Sequence, residues 1–292
     1  MALVDVVVVS YNSREHLRPC VEPLLAAPGF RVLVVDNASP DRAHETVAGL
    51  PLTIVALTRN GGFAHGCNVG WRAGDSPFVL FLNPDSRLEP AALERLVLEL
   101  ETSPDVGAVA PRLVDGDGAL LYSQRRYPRL LSTYARALFL HRLFPGAAWA
   151  DELVRDERAY ERAASVDWVS GACVLIRRDA LERVGGLDEG FFMYCEETDL
   201  CRRLRAAGYD VRYEPEAVCI HFGQASAPRA SLLPVLAASR LRYARKHRGR
   251  VGAVLERLGI ALDAATHVLV SRGGTRLAHL RSLGVVLGVA RG

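Results

Sequence analysis

Along the first third of the chain, apolar residues come in short runs that stop on polar clusters. Val4 to Val9 predicts a buried strand ending in Ser10-Tyr11-Asn12-Ser13, and Arg31 to Val35 a second, ending in Asp36-Asn37-Ala38-Ser39-Pro40-Asp41. Leu52 to Leu57 predicts a third, ending in Thr58-Arg59-Asn60. The fourth, Phe78 to Leu82, is five apolar residues in a row, as suits a strand covered on both faces. Pro84 cannot donate to a ladder and marks its end. Between the runs, Arg14 to Ala27 has helical spacing, and Gly61 to Gly74 reads as a glycine-rich entry into a helix. Ser39 is placed to cap a helix with Pro40 at its first position. Alternation of strand, loop and helix predicts a parallel, doubly wound α/β sheet with its loops gathered on one edge. Ligands of such sheets bind outside the carboxyl ends of the strands. Tyr11, Asp36, Arg59, Asn60 and Asp85 are therefore expected to converge, although each taken singly is also ordinary loop polarity and Asn83-Pro84-Asp85 is good turn chemistry.

The pattern continues with a helix from Pro90 to Glu101, a strand from Val106 to Leu113 and a hairpin turn at Asp115-Gly116-Asp117-Gly118. The turn lacks the glutamate a calcium loop needs. Leu130 to Glu161 is helical or irregular and rich in arginine and aromatic residues. Cys173 to Ile176 predicts a strand and Asp179 to Val184 a short helix. Glu196, Glu197 and Asp199 then open a helix whose later turn carries arginines, a distribution the helix dipole favours. Three acids directly behind the aromatic cluster from Phe191 to Tyr194 could equally put one carboxylate in a partly dry pocket, where its pKa rises toward that of a general base. Val218 to Ile220 closes as a strand with His221 at its end, either a metal ligand or a polar terminus. Leu232 to His247 predicts a helix, and Ala253 to Val289 one or two more.

With 292 residues, half of them hydrophobic, the chain can bury a full core. Six dispersed cysteines without a C-x-x-C pair argue against a zinc cluster and a disulfide framework, and predict a reduced, cytoplasmic protein. No segment reaches the ~18 apolar residues of a membrane span, and the opening residues read as a strand rather than a signal peptide. The net charge of +3 is uneven: from Arg229 onward there are twelve arginines and lysines, against only Glu256 and Asp263. A basic tail on an acidic body suggests an anionic partner surface, membrane or polyphosphate; the competing reading is codon bias, since Lys246 is the only lysine.

Taken together, Val9-Ser10-Tyr11-Asn12, Val35 to Asp41, Asn60 to Gly70, Phe81 to Asp85, Gly185 to Tyr194 and Glu196 to Arg205 resemble glycosyltransferase family 2, inverting enzymes of the GT-A fold, and within it the rhamnosyltransferase-type proteins. The resemblance spans about residues 4 to 225. It implies a catalytic domain over 1–225, with a nucleotide-binding half to about 115 and an acceptor-binding half from 116, and a basic, apolar helical extension over 226–292. By that resemblance Asn83-Pro84-Asp85 takes the place of the family's Asp-x-Asp motif, so that Asp85, His221 and Asn83 hold Mg2+ or Mn2+ on the donor diphosphate, the amide of Asn83 being a weaker ligand than a carboxylate. Tyr11, Asn12, Asp36, Asn37, Arg59, Asn60, Gly62, Phe63 and Asn68 fall in the nucleotide-sugar segments, whereas Cys67 stands where relatives often carry asparagine. Glu197 matches the family's base, with Glu196 next and Asp199 as an orienting acid. Trp168, Ser170 and Gly171 match the acceptor segment, although a lone tryptophan is more often core.

The implied activity is metal-dependent transfer of a sugar from a nucleoside-diphosphate donor, dTDP-L-rhamnose among the candidates, to a saccharide or polyprenyl-linked acceptor. No nucleic-acid partner is expected. The C-terminal helices would make peripheral membrane contact at the inner face, form a homodimer, or simply pack on the body. Alternatives are a sugar-nucleotide-binding module without turnover and a sugar nucleotidyltransferase, the latter supported only by Gly273-Gly274-Thr275-Arg276-Leu277.

Overall fold

The computed structural model describes residues 3–223 and 229–289. The expected boundary at 225/226 lies outside the described residues. The first half follows the apolar pattern: β1 (Val4–Ser10), α1 (Arg14–Leu25), β2 (Phe30–Asp36), β3 (Thr53–Ala56), α2 (Phe63–Arg72) and β4 (Phe78–Leu82). β1 pairs in parallel with β2 and with β4, and β2 with β3. Val4, Val6 and Val8 join one apolar layer with α1, while Val7 and Val9 join a second with α2. Leu80 and Leu82 divide from Val79 and Phe81 in the same way, so both faces of β4 are covered and its unbroken apolar run is explained.

The chain continues through β5 (Ser86–Leu88), α3 (Pro90–Thr102), β6 (Val106–Val114), β7 (Gln124–Arg125), α4 (Leu130–Ala137) and α5 (Leu140–Leu143). Next come β8 (Ala164–Ser165), β9 (Trp168–Val169), β10 (Cys173–Arg177), α6 (Arg178–Arg183), α7 (Glu196–Ala206) and β11 (Asp210–His221). The sheet order is β3-β2-β1-β4-β10-β6-β11-β5, with β8 on β11, and β7 and β9 form a separate ribbon. β10 runs antiparallel to both β4 and β6, so the sheet is mixed, mostly parallel. The turn at Asp115 to Gly118 is tight, with Val114 bridged antiparallel to Leu120.

Two expectations are corrected, and one element was not anticipated. No α-helix follows Ser39: Asp41 Oδ1 accepts from the Ala43 N–H, Arg42 takes φ +55°, and a 3-10 turn over Ala43–Val47 replaces it. Local side-chain hydrogen bonds have outcompeted helix initiation. β11 begins eight residues before Val218; its first half alternates charged and apolar residues and is offset from the second by an irregularity at Pro215, which hid it. β5, only three residues long, carried no periodic signal.

The C-terminal helices are α8 (Leu233–His247), α9 (Gly249–Val270) and α10 (Gly273–Leu287). α8 is pinned to the body by ion pairs: Arg240 with Glu152, Arg242 and Lys246 with Asp188, and His247 and Lys246 with Asp199. All six cysteines are buried thiols.

Candidate active site

Parallel pairing aligns the carboxyl ends of β1, β2 and β3, with Ser10 opposite Asp36 and Asp36 opposite Ala56. The loops beyond are stitched to one another. The Asn12 N–H donates to Ser39 Oγ (2.7 Å), and Asn12 and Ala38 both take positive φ, strained backbone of a kind that gathers at ligand sites. Asn37 is buried; its Nδ2 donates to Asn60 Oδ1 (2.9 Å) and Gly62 O (3.1 Å), and its Oδ1 accepts from the Gly61 N–H (3.0 Å). Asp36 is also buried, accepting from the Ser39 N–H, with His44 Nδ1 2.8 Å from its other oxygen. Tyr11 is half-buried, and Arg59 is exposed beyond β3.

Gly62 ties this half to the next. It has φ +87°, and a Cβ there would stand 2.8 Å from Phe192 Cα and overlap Phe192 O. Through this gap the Phe63 N–H donates to Phe192 O (2.8 Å). The aromatic segment ahead of α7 is thereby clasped against the entry to α2. On the other side, the Asn83 N–H donates to Ala172 O (2.8 Å), and Gly171 leaves room for Glu197 and Phe63, whose atoms lie 3.7 and 3.9 Å from where its Cβ would be. The strand-end motif of β4, the Gly171 segment and the start of α7 are thus one neighbourhood.

β11 brings His221 opposite Ser86, and His221 Nε2 stands 3.3 Å from Asp85 Oδ1. Among the described residues no three acidic, histidine or cysteine side chains gather into a cage. One carboxylate and one imidazole, with the Asn83 amide beside them in sequence, fit Mg2+ or Mn2+, ions that keep coordination positions open for substrate phosphates.

Glu196 and Glu197 follow Tyr194 and Cys195, two non-glycine residues at φ +70° and +66°. Each glutamate has an Oε2 buried without a hydrogen-bond partner. Burial pushes both carboxyls above the usual range, and Glu196 the further, because the charge of Glu197 adds to its desolvation. For Glu197, its own and the Thr198 backbone N–H groups and the Arg125 charge oppose the rise. Of the pair, Glu197, the more exposed and the one faced by helix N–H groups and Arg125, therefore ionises first.

Other expected residues are employed elsewhere. Asp199 is fully buried and bound by Arg203, Lys246 and His247, fastening α7 to α8. Asn68 is consumed by the Gly186 to Glu189 loop: its Nδ2 donates to Leu187 O and Glu189, and its Oδ1 accepts from the Leu187 N–H and Trp71 Nε1. Trp168 is buried, donates through Nε1 to Arg126 O, and has the Arg125 guanidinium over its ring, the placement of a core residue. Ser170 is half-buried, its N–H donating to Ser123 O. Cys67 is buried, its thiol pushed up by desolvation and then by the Glu196 and Glu197 charges. Gly273 to Leu277 opens α10, the last helix of the chain, rather than following the first strand, which removes the support for a nucleotidyltransferase. Arg125 and His44 were not foreseen, and each reaches its contact from a segment without periodic or motif signal; Phe192 lies in a motif segment, but its backbone contact with Phe63 was not foreseen.

Against known proteins, the sequence model of the family described as Glycosyl transferase family 2 matches residues 5–185. The chain is 31% identical over 234 residues to the N-acetylglucosaminyl-diphospho-decaprenol L-rhamnosyltransferase of Mycobacterium tuberculosis, covering 75% of this chain and 76% of that one. It is 28% identical over 232 residues to the rhamnosyltransferase WbbL of Escherichia coli, covering 75% and 83%. Among solved structures, the mannosyltransferase PcManGT of Pyrobaculum calidifontis, in complex with GDP-Man and Mn2+, superimposes with a TM-score of 0.57 at 20% identity, covering 99% of this chain and 81% of that one. S. aureus TarS in complex with UDP gives 0.54 at 15% identity, covering 99% and 90%. These neighbours are GT-A glycosyltransferases, and the likeness establishes the fold.

Proposed function

Because the chain belongs to glycosyl transferase family 2 and is a glycosyltransferase, we propose that it moves L-rhamnose from a dTDP-linked donor to a polyprenyl-linked amino-sugar diphosphate, with inversion at the anomeric carbon. The rhamnosyltransferase relatives support this donor sugar and acceptor class, in polysaccharide and cell-wall synthesis. The observation that carries the chemistry is the half-buried Glu197 carboxylate, raised in pKa and with its Oε2 buried without a partner, beside the Gly171–Ala172 segment that holds the strand-end motif of Asp85.

Glu197 takes the proton of the acceptor hydroxyl as that oxygen forms its bond to the anomeric carbon and the bond to the donor diphosphate breaks. Glu196, raised further beside it, makes Glu197 the carboxyl of the pair that ionises first. Asp85 and His221, with Asn83, would hold a divalent ion, whose chemistry would be to neutralise charge on the leaving diphosphate. Asp36, with Tyr11, Asn12, Asn37, Arg59, Asn60, Gly62 and Phe63 around it, forms the nucleoside side; a carboxylate there can accept from the imide N–H of thymine. Ser170 and Gly171 border the acceptor.

The test is a turnover assay with UDP-, dTDP- and GDP-sugars and a polyprenyl-diphosphate N-acetylglucosamine acceptor, with Mg2+, Mn2+ or chelator. The expected result is metal-dependent release of dTDP with a rhamnosylated product. Tight dTDP-rhamnose binding with no transfer under any condition would overturn the catalytic reading, and preference for another nucleotide would overturn the donor.

A further inference from the structure

Two of the C-terminal helices are built inside out. On α9, Val251, Val254, Leu255 and Leu258 are exposed, Val251 to 75% and Leu258 to 56%, whereas Glu256 is only 1% exposed. At ~100° per residue these four fill an arc of about 100° facing away from the buried Glu256, Ile260 and Ala264. α10 repeats the arrangement: Leu277, Leu280 and Leu287 are exposed within an arc of about 80°, while Ala278, His279 and Ser282 are buried. On the same helical wheel Arg276 and Arg281 border the leucine stripe on either side. Scattered exposed leucines are ordinary, but aligned stripes on both arms of one helical hairpin mark an interaction surface.

Charge selects the occupant. The acids of this region are Glu256 and Asp263, and both are spent internally, Glu256 on Arg240 and Arg248, Asp263 on Arg136 and His267. The exposed positions carry Arg250, Arg272, Arg276 and Arg281. A second copy would set like charge against like, whereas an anionic bilayer accepts leucine and arginine together, the long side chains reaching up to headgroups. Among the described residues no helix is long and apolar enough to cross a membrane, so the hairpin would lie in the interface rather than span it.

We propose that the exposed face of α9 and α10 is a docking surface for an anionic lipid bilayer, which brings the enzyme to the plane where a polyprenyl-linked acceptor resides. The proposal deepens the functional reading above and rests on it for the purpose of the surface, not for its existence.

The experiment is cosedimentation of the full chain with vesicles of phosphatidylcholine alone or containing one quarter phosphatidylglycerol, at low and high salt. Binding is expected on the anionic vesicles, weakened by salt. Leu258→Gln with Leu280→Gln should weaken it at least tenfold, and Arg276→Glu with Arg281→Glu at least 25-fold, at about fivefold for each arginine lost. Both pairs are exposed and should leave the melting temperature unchanged. Absence of binding to anionic vesicles, equal binding by both variant pairs, or a dimer in sedimentation velocity that the leucine variants dissolve would each overturn the proposal. Turnover on a water-soluble short-chain acceptor separates the two readings: transfer without vesicle binding sinks the surface alone, and vesicle binding by an inactive protein upholds it while sinking the catalytic reading.

Discussion

Replacing Glu197 by glutamine removes a base while keeping the shape that Gly171 accommodates and the helix N–H groups that face it. General-base catalysis contributes about 10²- to 10⁴-fold, or roughly 2.7 to 5.4 kcal/mol in the barrier. The surroundings argue for the upper half of that range, because no neighbour can substitute. Glu196 is raised further than Glu197, and Asp199 is saturated by Arg203, Lys246 and His247. Glu197→Gln should therefore lose about 10³-fold or more in kcat with donor binding intact. Glu196→Gln, which replaces the carboxyl of the pair that ionises last, should stay within about tenfold of wild type. Because Glu197 is raised above its ordinary value near 4.5, the acidic limb of kcat/KM in wild type should lie above that pH, and Glu196→Gln should leave it in place. Stability gives a second readout. An acid with a raised folded-state pKa costs stability once pH passes its unfolded value, so Glu196→Gln should melt higher than wild type at neutral pH and equal to it below about pH 4. Near-normal turnover in Glu197→Gln, or an equal collapse in Glu196→Gln, would refute the assignment.

Gly62→Ala forces a Cβ into a glycine-only conformation and against the Phe192 backbone, and should destabilise by about 3 kcal/mol or more in urea melts, with donor turnover falling as the clasp opens. His221→Ala removes one of the two donors at Asp85, so the Mn2+ concentration for half-maximal donor turnover should rise at least tenfold, and calorimetric Mn2+ binding in the presence of dTDP should weaken in parallel. Asp188 is raised by burial, but hydrogen bonds from Lys246, the Gly190 N–H and Arg242 prevail and hold it down to about 2. Its contribution is present above the unfolded value of 3.8 and is lost as pH falls through about 2, so Asp188→Asn should cost about 1–2 kcal/mol at pH 7, discounted for the partly exposed cations, and only a small fraction of that at pH 2.

The parallel half of the sheet was legible because its strands are buried on both faces and so read as apolar runs closed by polar clusters, with Phe78 to Asp85 the plainest case. The motif residues Asp85, Glu197 and His221 were legible as a set only through their order along the chain. What each does with its neighbours was not. Asn68 and Asp199 carry the same side chains as binding residues elsewhere in the site, yet are spent on the loop ahead of Glu189 and on α8.

The sequence by itself determined the alternation of strand and helix, the strand-end clusters and the acidic start of α7, all of which follow from local periodicity and composition. Tertiary structure alone decided that β10 inserts antiparallel between β4 and β6, that β5 pairs with β11 to set His221 beside Asp85 across 136 residues, and that the apolar stripes of α9 and α10 face outward. Periodicity states that a helix has two faces and a strand two sides, but which of them is covered depends on partners far away in the chain. The same long-range packing sets the desolvation that raises Glu197, so its chemistry became readable only once the fold had closed around it.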